Sequence, residues 1–189
     1  MLLRIMFLTI ALNTVFGEGF AVDTKSFKIE WEAYKFTSRA AVKGTFNRYM
    51  AGGFHKSKTV GGLFDGVEIL IDIGSVDSGN AARDYTLGTK FFNLFTGATI
   101  TARTANYENG EVDLLVNMNG REAERRISVD ITDSKISFEA NFDMMKDFML
   151  SEAWNSIHEA CKYLHTGPDG KSVTGKDVTV RFSADLIKL

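Results

Sequence analysis

Polar and apolar residues alternate along most of the chain beyond residue 26. In the first such run, the apolar residues Phe27, Ile29 and Trp31 are separated by Lys28 and Glu30. A period of two is typical of antiparallel strands that bury one face and expose the other. Similar rows recur at residues 42–46, 67–73, 98–102, 112–118, 127–131, 136–142 and 178–186. The pattern therefore predicts about eight strands in an all-β fold.

Two Asn-Gly pairs, Asn109-Gly110 and Asn119-Gly120, separate consecutive apolar rows. Asn and Gly tolerate the positive φ angles of tight hairpin turns, so each pair predicts a hairpin. A meander of strands leaves unpaired edges unless the sheet closes on itself. Eight strands close into a barrel that is wide enough for side chains or one slender ligand. We therefore predict an antiparallel eight-stranded barrel.

Two segments break the alternation and are predicted to form short helical insertions. Residues 80–92 form the first, with Ser78 as the candidate N-cap, and residues 149–164 form the second. In the second segment, Trp154, Ile157, Cys161 and Leu164 recur at spacings of three and four, which gives one apolar stripe. We expect this helix to pack across one end of the barrel or against its wall.

The first 21 residues have the pattern of a secretory signal peptide. Arg4 supplies a positive charge, residues 5–16 form a largely apolar stretch, and small residues follow at Gly17, Gly19 and Ala21. Cleavage is expected after Gly17 or after Ala21, and we prefer Ala21, which leaves one domain at residues 22–189. The apolar run is shorter than the roughly 20 residues that span a bilayer, so we expect no stable membrane insertion.

Charge and motifs exclude several function classes. The formal net charge is -2 and the pI is near 5.9, so nothing indicates a nucleic-acid partner. The chain has no nucleophile elbow, no phosphate-binding loop and no dinucleotide fingerprint, which disfavours the common enzyme classes. We therefore predict no catalytic residues.

The candidate metal ligands His158, Cys161 and His165 fall in one sector of the second helix. The two histidines would lie about 10 Å apart along the helix axis, which is too far for easy shared coordination. We expect no metal site, and a packed Cys161 rather than a nucleophile. The neighbouring charges Arg83 and Asp84 either form a structural ion pair or orient a ligand headgroup.

The chain contains fifteen phenylalanines, more than a barrel interior of this size needs for packing alone. The surplus fits either a solid core with packed helices or a cavity lined by aromatic rings. The pattern alone does not decide between the two.

Several segments together resemble the YceI-like family of exported, lipocalin-like proteins. The similarity is carried by residues 31–34, 42–46, 75–77, 98–100, 116–120 and 143–148, and by Asn80, Arg83, Asp84, Leu87, Phe91 and Phe92. The resemblance implies an extended antiparallel barrel with a small helix inserted after the third strand. It also implies an elongated apolar pocket for a polyisoprenoid or similar amphiphile, a periplasmic location and a homodimer.

The sequence and the resemblance together favour an exported lipocalin-like barrel that binds, carries or stores a long apolar ligand. The ligand is a polyisoprenoid, a quinone-like lipid, a fatty acid or a fatty amide, and no other cofactor is expected. Candidate lipid-binding residues are Trp31, Phe46, Ile69, Ile71, Ile73, Phe91, Phe92, Ile100, Leu114, Val116, Ile127, Phe138, Trp154 and Phe182. Candidate headgroup or mouth residues are Asn80, Arg83 and Asp84. Two alternatives stay open: an enzyme that modifies an isoprenoid-like lipid, and a structural module with a filled core.

Overall fold

The structure is a computed structural model that describes residues 19–132 and 134–189. Its strands are β1 (Phe20–Lys35), β2 (Ala40–Phe46), β3 (Tyr49–Gly52), β4 (Glu68–Asp72), β5 (Val76–Asp77), β6 (Thr99–Glu108), β7 (Glu111–Met118), β8 (Arg121–Ile131), β9 (Lys135–Asp143) and β10 (Thr174–Lys188). The helices are α1 (Ala81–Lys90), α2 (Met144–Phe148) and α3 (Ser151–Cys161), with short 3₁₀ turns at Gly61–Phe64, Ile73–Ser75 and Phe92–Leu94.

All strand pairs are antiparallel, and together they form one curled sheet. The order of the strands is β3-β4-β6-β7-β8-β9-β10-β1-β2-β5. The longest pair joins the two ends of the described chain, β1 and β10, from Phe20 opposite Lys188 to Lys35 opposite Thr174. The all-β class with short helical insertions is therefore confirmed.

The predicted number of eight strands is not confirmed, because the sheet has ten strands within residues 19–132 and 134–189. The two additional strands are β3 and β5, which have only four and two residues. β3 ends in a Gly-Gly pair and was too short to show alternation, and β5 follows β4 after one 3₁₀ turn. Asn47 and Arg48 alone separate β2 from β3.

The inner face of the sheet carries the apolar rows that the alternation predicted. The largest fully buried side chains of the described residues are Leu114 and Val112 on β7, and Phe148, Leu63 and Leu150 in the same core cluster but outside the strands. Both Asn-Gly pairs form tight turns with positive φ angles, 53° and 84° at Asn109-Gly110 and 55° and 70° at Asn119-Gly120. The predicted hairpins are therefore confirmed.

Helices α1 and α3 lie where the broken alternation placed them, with shifted ends. The cap of α1 is Asn80 and not Ser78, because the Asn80 side chain accepts a hydrogen bond from the Arg83 backbone N–H at 3.0 Å. The second predicted helix, residues 149–164, corresponds to α3, which begins at Ser151. The short helix α2 lies before that segment and was not predicted; it ends just before Met149, whose backbone is left-handed. α3 then ends at Cys161, earlier than predicted.

The predicted signal peptide lies mostly outside the described residues, which begin at Gly19. Phe20 and Ala21 belong to β1 and pair with Lys188 and Ile187. A cut after Gly17 would keep this pairing, whereas a cut after Ala21 would remove it. Within residues 19–132 and 134–189, no helix combines the length and the apolar character needed to cross a membrane.

Candidate functional site

A cavity of about 520 Å³ lies between the inner face of the curled sheet and the helices α1 and α3. Its size is within the range of small-molecule sites. Most of its lining is apolar: Ile29, Trp31, Ala33, Val42, Phe46, Ile71, Ala82, Leu87, Phe91, Phe92, Ile100, Ala102, Val116, Met118, Phe142, Met144, Trp154, Ile157, Leu164, Val178, Val180 and Phe182. The other lining residues are Tyr34, Lys35, Asn80, Arg83, Thr86, Cys161, His165, Thr174 and Gly175.

The wall formed by β1 and β2 is fixed by Trp31. Its indole Nε1–H donates to the carbonyl oxygen of Thr45 at 3.1 Å. The ring lies against Gly44, its partner across the ladder, where a Cβ atom would come within 2.3 Å of the indole. The missing side chain at Gly44 therefore allows a large aromatic face to lie against the wall of the cavity.

Three aromatic rings follow α1, and two of them, with Phe46 of β2, form another part of the wall. Phe91 and Phe92 have ring centroids 5.2 Å apart, and Phe95 lies 5.0 and 5.3 Å from the two. Phe92 also contacts Phe46 of β2 at 5.9 Å. Edge-to-face contacts of this kind hold the rings in place, so this part of the wall is preformed.

Helix α3 covers the cavity with its apolar stripe, and Trp154 anchors it. The Trp154 indole N–H donates to the carbonyl oxygen of Gly175 at 3.0 Å. Its ring stacks on His158 at a centroid distance of 5.0 Å. The helix is thereby tied to the start of β10 by a hydrogen bond as well as by packing.

Side chains pack against one another elsewhere in the interior. A much smaller void of about 20 Å³ is lined by residues that include Phe27, Phe64 and Phe138. Phe182 lines both this void and the large cavity, and stacks on Phe138 at a centroid distance of 4.8 Å. The side chain of Phe182 therefore separates the open part of the interior from the packed part.

The structure brings most of the predicted lipid-binding residues to the large cavity. Those that line it are Trp31, Phe46, Ile71, Phe91, Phe92, Ile100, Val116, Trp154 and Phe182. Ile69 and Phe138 line the small void instead, and Ile73, Leu114 and Ile127 are buried in the core without lining either space. Alternation identifies the inner face, but it does not show which inner residues lie beside a space.

Of the three predicted mouth residues, Asn80 and Arg83 line the cavity and Asp84 does not. The Asp84 carboxylate accepts hydrogen bonds from the backbone N–H and the hydroxyl of Ser78, at 2.9 and 2.5 Å. Arg83 donates from Nε and Nη2 to the hydroxyl and carbonyl oxygens of Ser78, both at 2.8 Å. These contacts order the start of α1 and hold the Asp84 carboxylate away from the cavity lining.

A polar cluster at the cavity was missed by sequence reasoning. The hydroxyl of Thr174 contacts Nδ1 of His165 at 2.7 Å and Nδ1 of His158 at 3.0 Å. Lys35 pairs with Thr174 across the ladder and also lines the cavity. The signal was present in the sequence, because Lys35 continues the inward row of Phe27, Ile29, Trp31 and Ala33.

The electrostatics of this cluster follow from burial and from Lys35. Burial lowers the pKa of His165 from its usual value, and the charges of Lys35 and His158 lower it further. Burial raises the pKa of the Cys161 thiol, and Lys35 partly opposes that rise. His165 is therefore held neutral near pH 7, and the thiol is a poor nucleophile. In the described part of the chain, no group of three or more His, Cys, Asp or Glu residues is arranged to hold a metal ion.

The fold and the cavity define an all-β protein with an apolar interior site. The family model of the YceI-like domain matches residues 20–186. The chain therefore belongs to the YceI-like family, as the sequence motifs indicated. No curated protein matches the chain in sequence.

Solved structures share the fold at low sequence identity. A polyisoprenoid-binding domain from Saccharophagus degradans, implicated in plant cell wall breakdown, superposes with a TM-score of 0.58 and 14% identity over 90% of this chain and 99% of its own. BcnA from Burkholderia cenocepacia has a TM-score of 0.56 and 15% identity over 88% and 99%. The Campylobacter jejuni YCEI protein has a TM-score of 0.55 and 19% identity over 77% and 84%.

Proposed function

We propose that this protein binds a long-chain amphiphile, such as a polyisoprenoid, in the large cavity and carries or stores it in the periplasm. The cavity of about 520 Å³ with its largely apolar lining is the observation that carries the proposal. Each methylene group removed from water contributes roughly 0.8 kcal/mol, so a chain of about a dozen carbons can outweigh the cost of its ordering.

Other observations support parts of this proposal. A structure of the same fold is described as a polyisoprenoid-binding domain. The periplasmic location rests on the signal-peptide pattern at the start of the chain, and the homodimer rests on the family resemblance. Light scattering of the purified protein would give the mass of two chains if the homodimer forms. The proposal requires no cofactor other than the lipid.

We also infer that the sheet closes into an eight-stranded barrel. In this proposal β2 and β3 form one bent pass of the chain, and β4 and β5 form another. Hydrogen bonds join the two passes across their interruptions, from the Asn47 N–H to the Ser75 carbonyl at 2.9 Å and from the Asp72 N–H to the Arg48 carbonyl at 3.0 Å. Closure would leave no free edge around the ligand.

Binding is favoured over catalysis by the chemistry of the lining. Among the described residues, no Asp or Glu side chain lines the cavity, so it has no carboxylate to act as an acid or a base. The one lining thiol, Cys161, has a raised pKa. The existence of the cavity also argues against the alternative of a structural module with a filled core.

The proposal is tested by the lipid content of the protein and of a variant with an obstructed cavity. Organic extraction of the purified protein, followed by mass spectrometry, should release a long-chain amphiphile. Val180→Trp places a large ring in the cavity from β10 and should reduce the bound lipid by about tenfold or more. Ile187→Trp adds the same ring to the same strand at an exposed position and should leave the lipid content unchanged. A folded wild-type protein that neither carries nor takes up an amphiphile would refute the proposal.

A further inference from the structure

The charged side chains at the cavity are of one sign. Lys35 and Arg83 line it, and no acidic side chain does so within the described residues. Yet the chain as a whole has more acidic than basic residues, 24 Asp and Glu against 22 Lys and Arg. Two cations without a lining carboxylate suit a ligand with negative charge.

The ammonium group of Lys35 has no anionic partner in the part of the chain that the structure describes. The ammonium group lies 4.9 Å from the centroid of the Phe36 ring, which is neutral. By contrast, Lys43 on the neighbouring strand β2 forms an ion pair with Glu32 at 3.2 Å. Lys35 is only half-buried, so a ligand in the cavity can reach its ammonium group. A bound anion would supply the missing partner.

The second cation, Arg83, is also without a carboxylate partner among the described residues. Its recorded side-chain hydrogen bonds go to two neutral oxygen atoms of Ser78. These bonds hold the guanidinium at the cavity, whereas the Asp84 carboxylate, which accepts a hydrogen bond from the same Ser78 hydroxyl, does not line it. Arg83 therefore adds to the positive potential of the cavity without being needed for direct contact with the ligand.

The imidazole of His165 lies beside Lys35 and can add a hydrogen bond to the same anion. The Thr174 hydroxyl has a single hydrogen and contacts Nδ1 of both His165 and His158, so at least one imidazole must donate its own Nδ1–H to the hydroxyl. Protonated His165 would present an N–H on each nitrogen, one for Thr174 and one for a ligand oxygen. Lys35 opposes that protonation, and a bound anion would favour it.

We propose that the cavity selects long-chain amphiphiles with an oxyanion headgroup, a carboxylate or a phosphate, and holds this headgroup beside Lys35 and His165. The inference rests on the proposed function and specifies the class of its ligand. The apolar chain supplies most of the affinity, and the charge of Lys35 supplies the discrimination between headgroups. A charge-assisted hydrogen bond in a partly desolvated site is stronger than a neutral one.

Probes with the same hydrocarbon chain and different headgroups separate the contribution of the headgroup to affinity from that of the hydrocarbon chain. Delipidated protein is titrated with palmitate, hexadecanol and hexadecanamide, which share one chain length and differ in charge. Palmitate should bind about tenfold more tightly than either neutral probe, and Lys35→Gln should remove most of that difference. Lys35→Arg keeps the charge and should keep the preference. Lys28→Gln removes an exposed charge from the same strand and should change neither affinity.

A second arm distinguishes the two sources of the oxyanion. Hexadecyl phosphate and a polyprenyl phosphate are compared with palmitate in the wild-type protein. Tighter binding of both phosphates assigns a phosphorylated lipid, and tighter binding of palmitate assigns a fatty acid. Either result supports the oxyanion headgroup.

The position of the headgroup is tested by the titration of His165, followed by NMR and assigned with His165→Gln. The groups that face this imidazole are Lys35 on β1, Thr174 on β10, and His158 and Cys161 on α3. Palmitate should raise the pKa of His165, and Lys35→Gln should raise it in the absence of ligand. An unchanged pKa with palmitate bound would overturn the placement of the headgroup.

Failure of the oxyanion selectivity can be distinguished from failure of the proposed carrier function. Equal affinity for palmitate and hexadecanol, unaffected by Lys35→Gln, would overturn the oxyanion selectivity and leave the carrier function intact. Failure of every probe to bind, together with the absence of an extracted lipid, would overturn both proposals.

Discussion

At the scale of single residues, Gly44 determines where the aromatic wall of the cavity lies. A strand interior is an unfavourable place for glycine, because it has no side chain to pack. Here the vacant position is covered by the indole of Trp31 from the neighbouring strand. This wall therefore depends on both residues: Gly44 leaves the space, and the large side chain of Trp31 fills it.

We expect Gly44→Ala to destabilise the fold by about 1–3 kcal/mol, the usual cost of overpacking. The added Cβ would lie 2.3 Å from the indole of Trp31 and 2.5 Å from the carbonyl oxygen of Asp77. Urea unfolding measures the loss, and Trp fluorescence reports the displaced ring. Gly88→Ala in α1 is the control: it meets no atom within 4 Å, so it should leave stability unchanged or raise it by up to about 1 kcal/mol. Equal stability of Gly44→Ala and wild type would contradict the packing of Trp31.

At the scale of elements, the five-residue helix α2 is held in place by polar contacts at its ends. The Asp143 side chain caps it, with hydrogen bonds from the N–H groups of Met145 and Lys146 at 3.0 and 3.1 Å. Asp147 forms an ion pair with Arg125 of β8 and accepts a hydrogen bond from the Asp143 N–H. A helix this short is not stable alone, so these contacts and the burial of its last residue keep it folded.

Phe148 at the end of α2 is fully buried and packs on Phe142 at a centroid distance of 5.4 Å. We expect Phe148→Ala to cost about 3–5 kcal/mol, because it removes a large ring and leaves a hole. Tyr163→Ala, at a position that is 94% exposed, should change stability by less than about 0.5 kcal/mol. Chemical denaturation compares the two. Since Phe148 does not line the large cavity, the folded fraction of the variant should keep its lipid affinity. A similar small loss in both variants would show that α2 is not anchored by this ring.

At the scale of the whole molecule, the sequence predicted which residues lie on the inner face of each strand, because that depends on local pattern. It did not predict which of them line the cavity, because that depends on the distance between opposite walls. Alternation placed both Leu114 and Val116 on the inner face of β7, yet Val116 lines the cavity and Leu114 is packed in the core. The strand count differed for a local reason, since β3 and β5 are too short for a period to show.

The polar cluster was missed for a different physical reason. Lys35 follows the inward row of β1, but a charged residue at the end of such a row is expected to reach water. Its partner Thr174 comes from the start of β10, some 140 residues further along the chain, and only the pairing of β1 with β10 brings the two together. The family resemblance predicted an elongated apolar pocket, but it did not predict this polar cluster.

Phe182 has a further consequence for the interior, because the space beyond it is closed by packed side chains. We expect the apolar tail of a ligand to enter towards Phe182, so that the tail enters first and the head is the last part to enter and the first to leave. Phe182 should also limit the length of the ligand. We expect a tail that exceeds the distance to Phe182 to leave its headgroup outside the cavity. We expect Phe182→Ala to lengthen the preferred chain in a series of fatty acids, although it also costs about 3–5 kcal/mol of stability. An unchanged optimum would mean that the length of the ligand is set elsewhere.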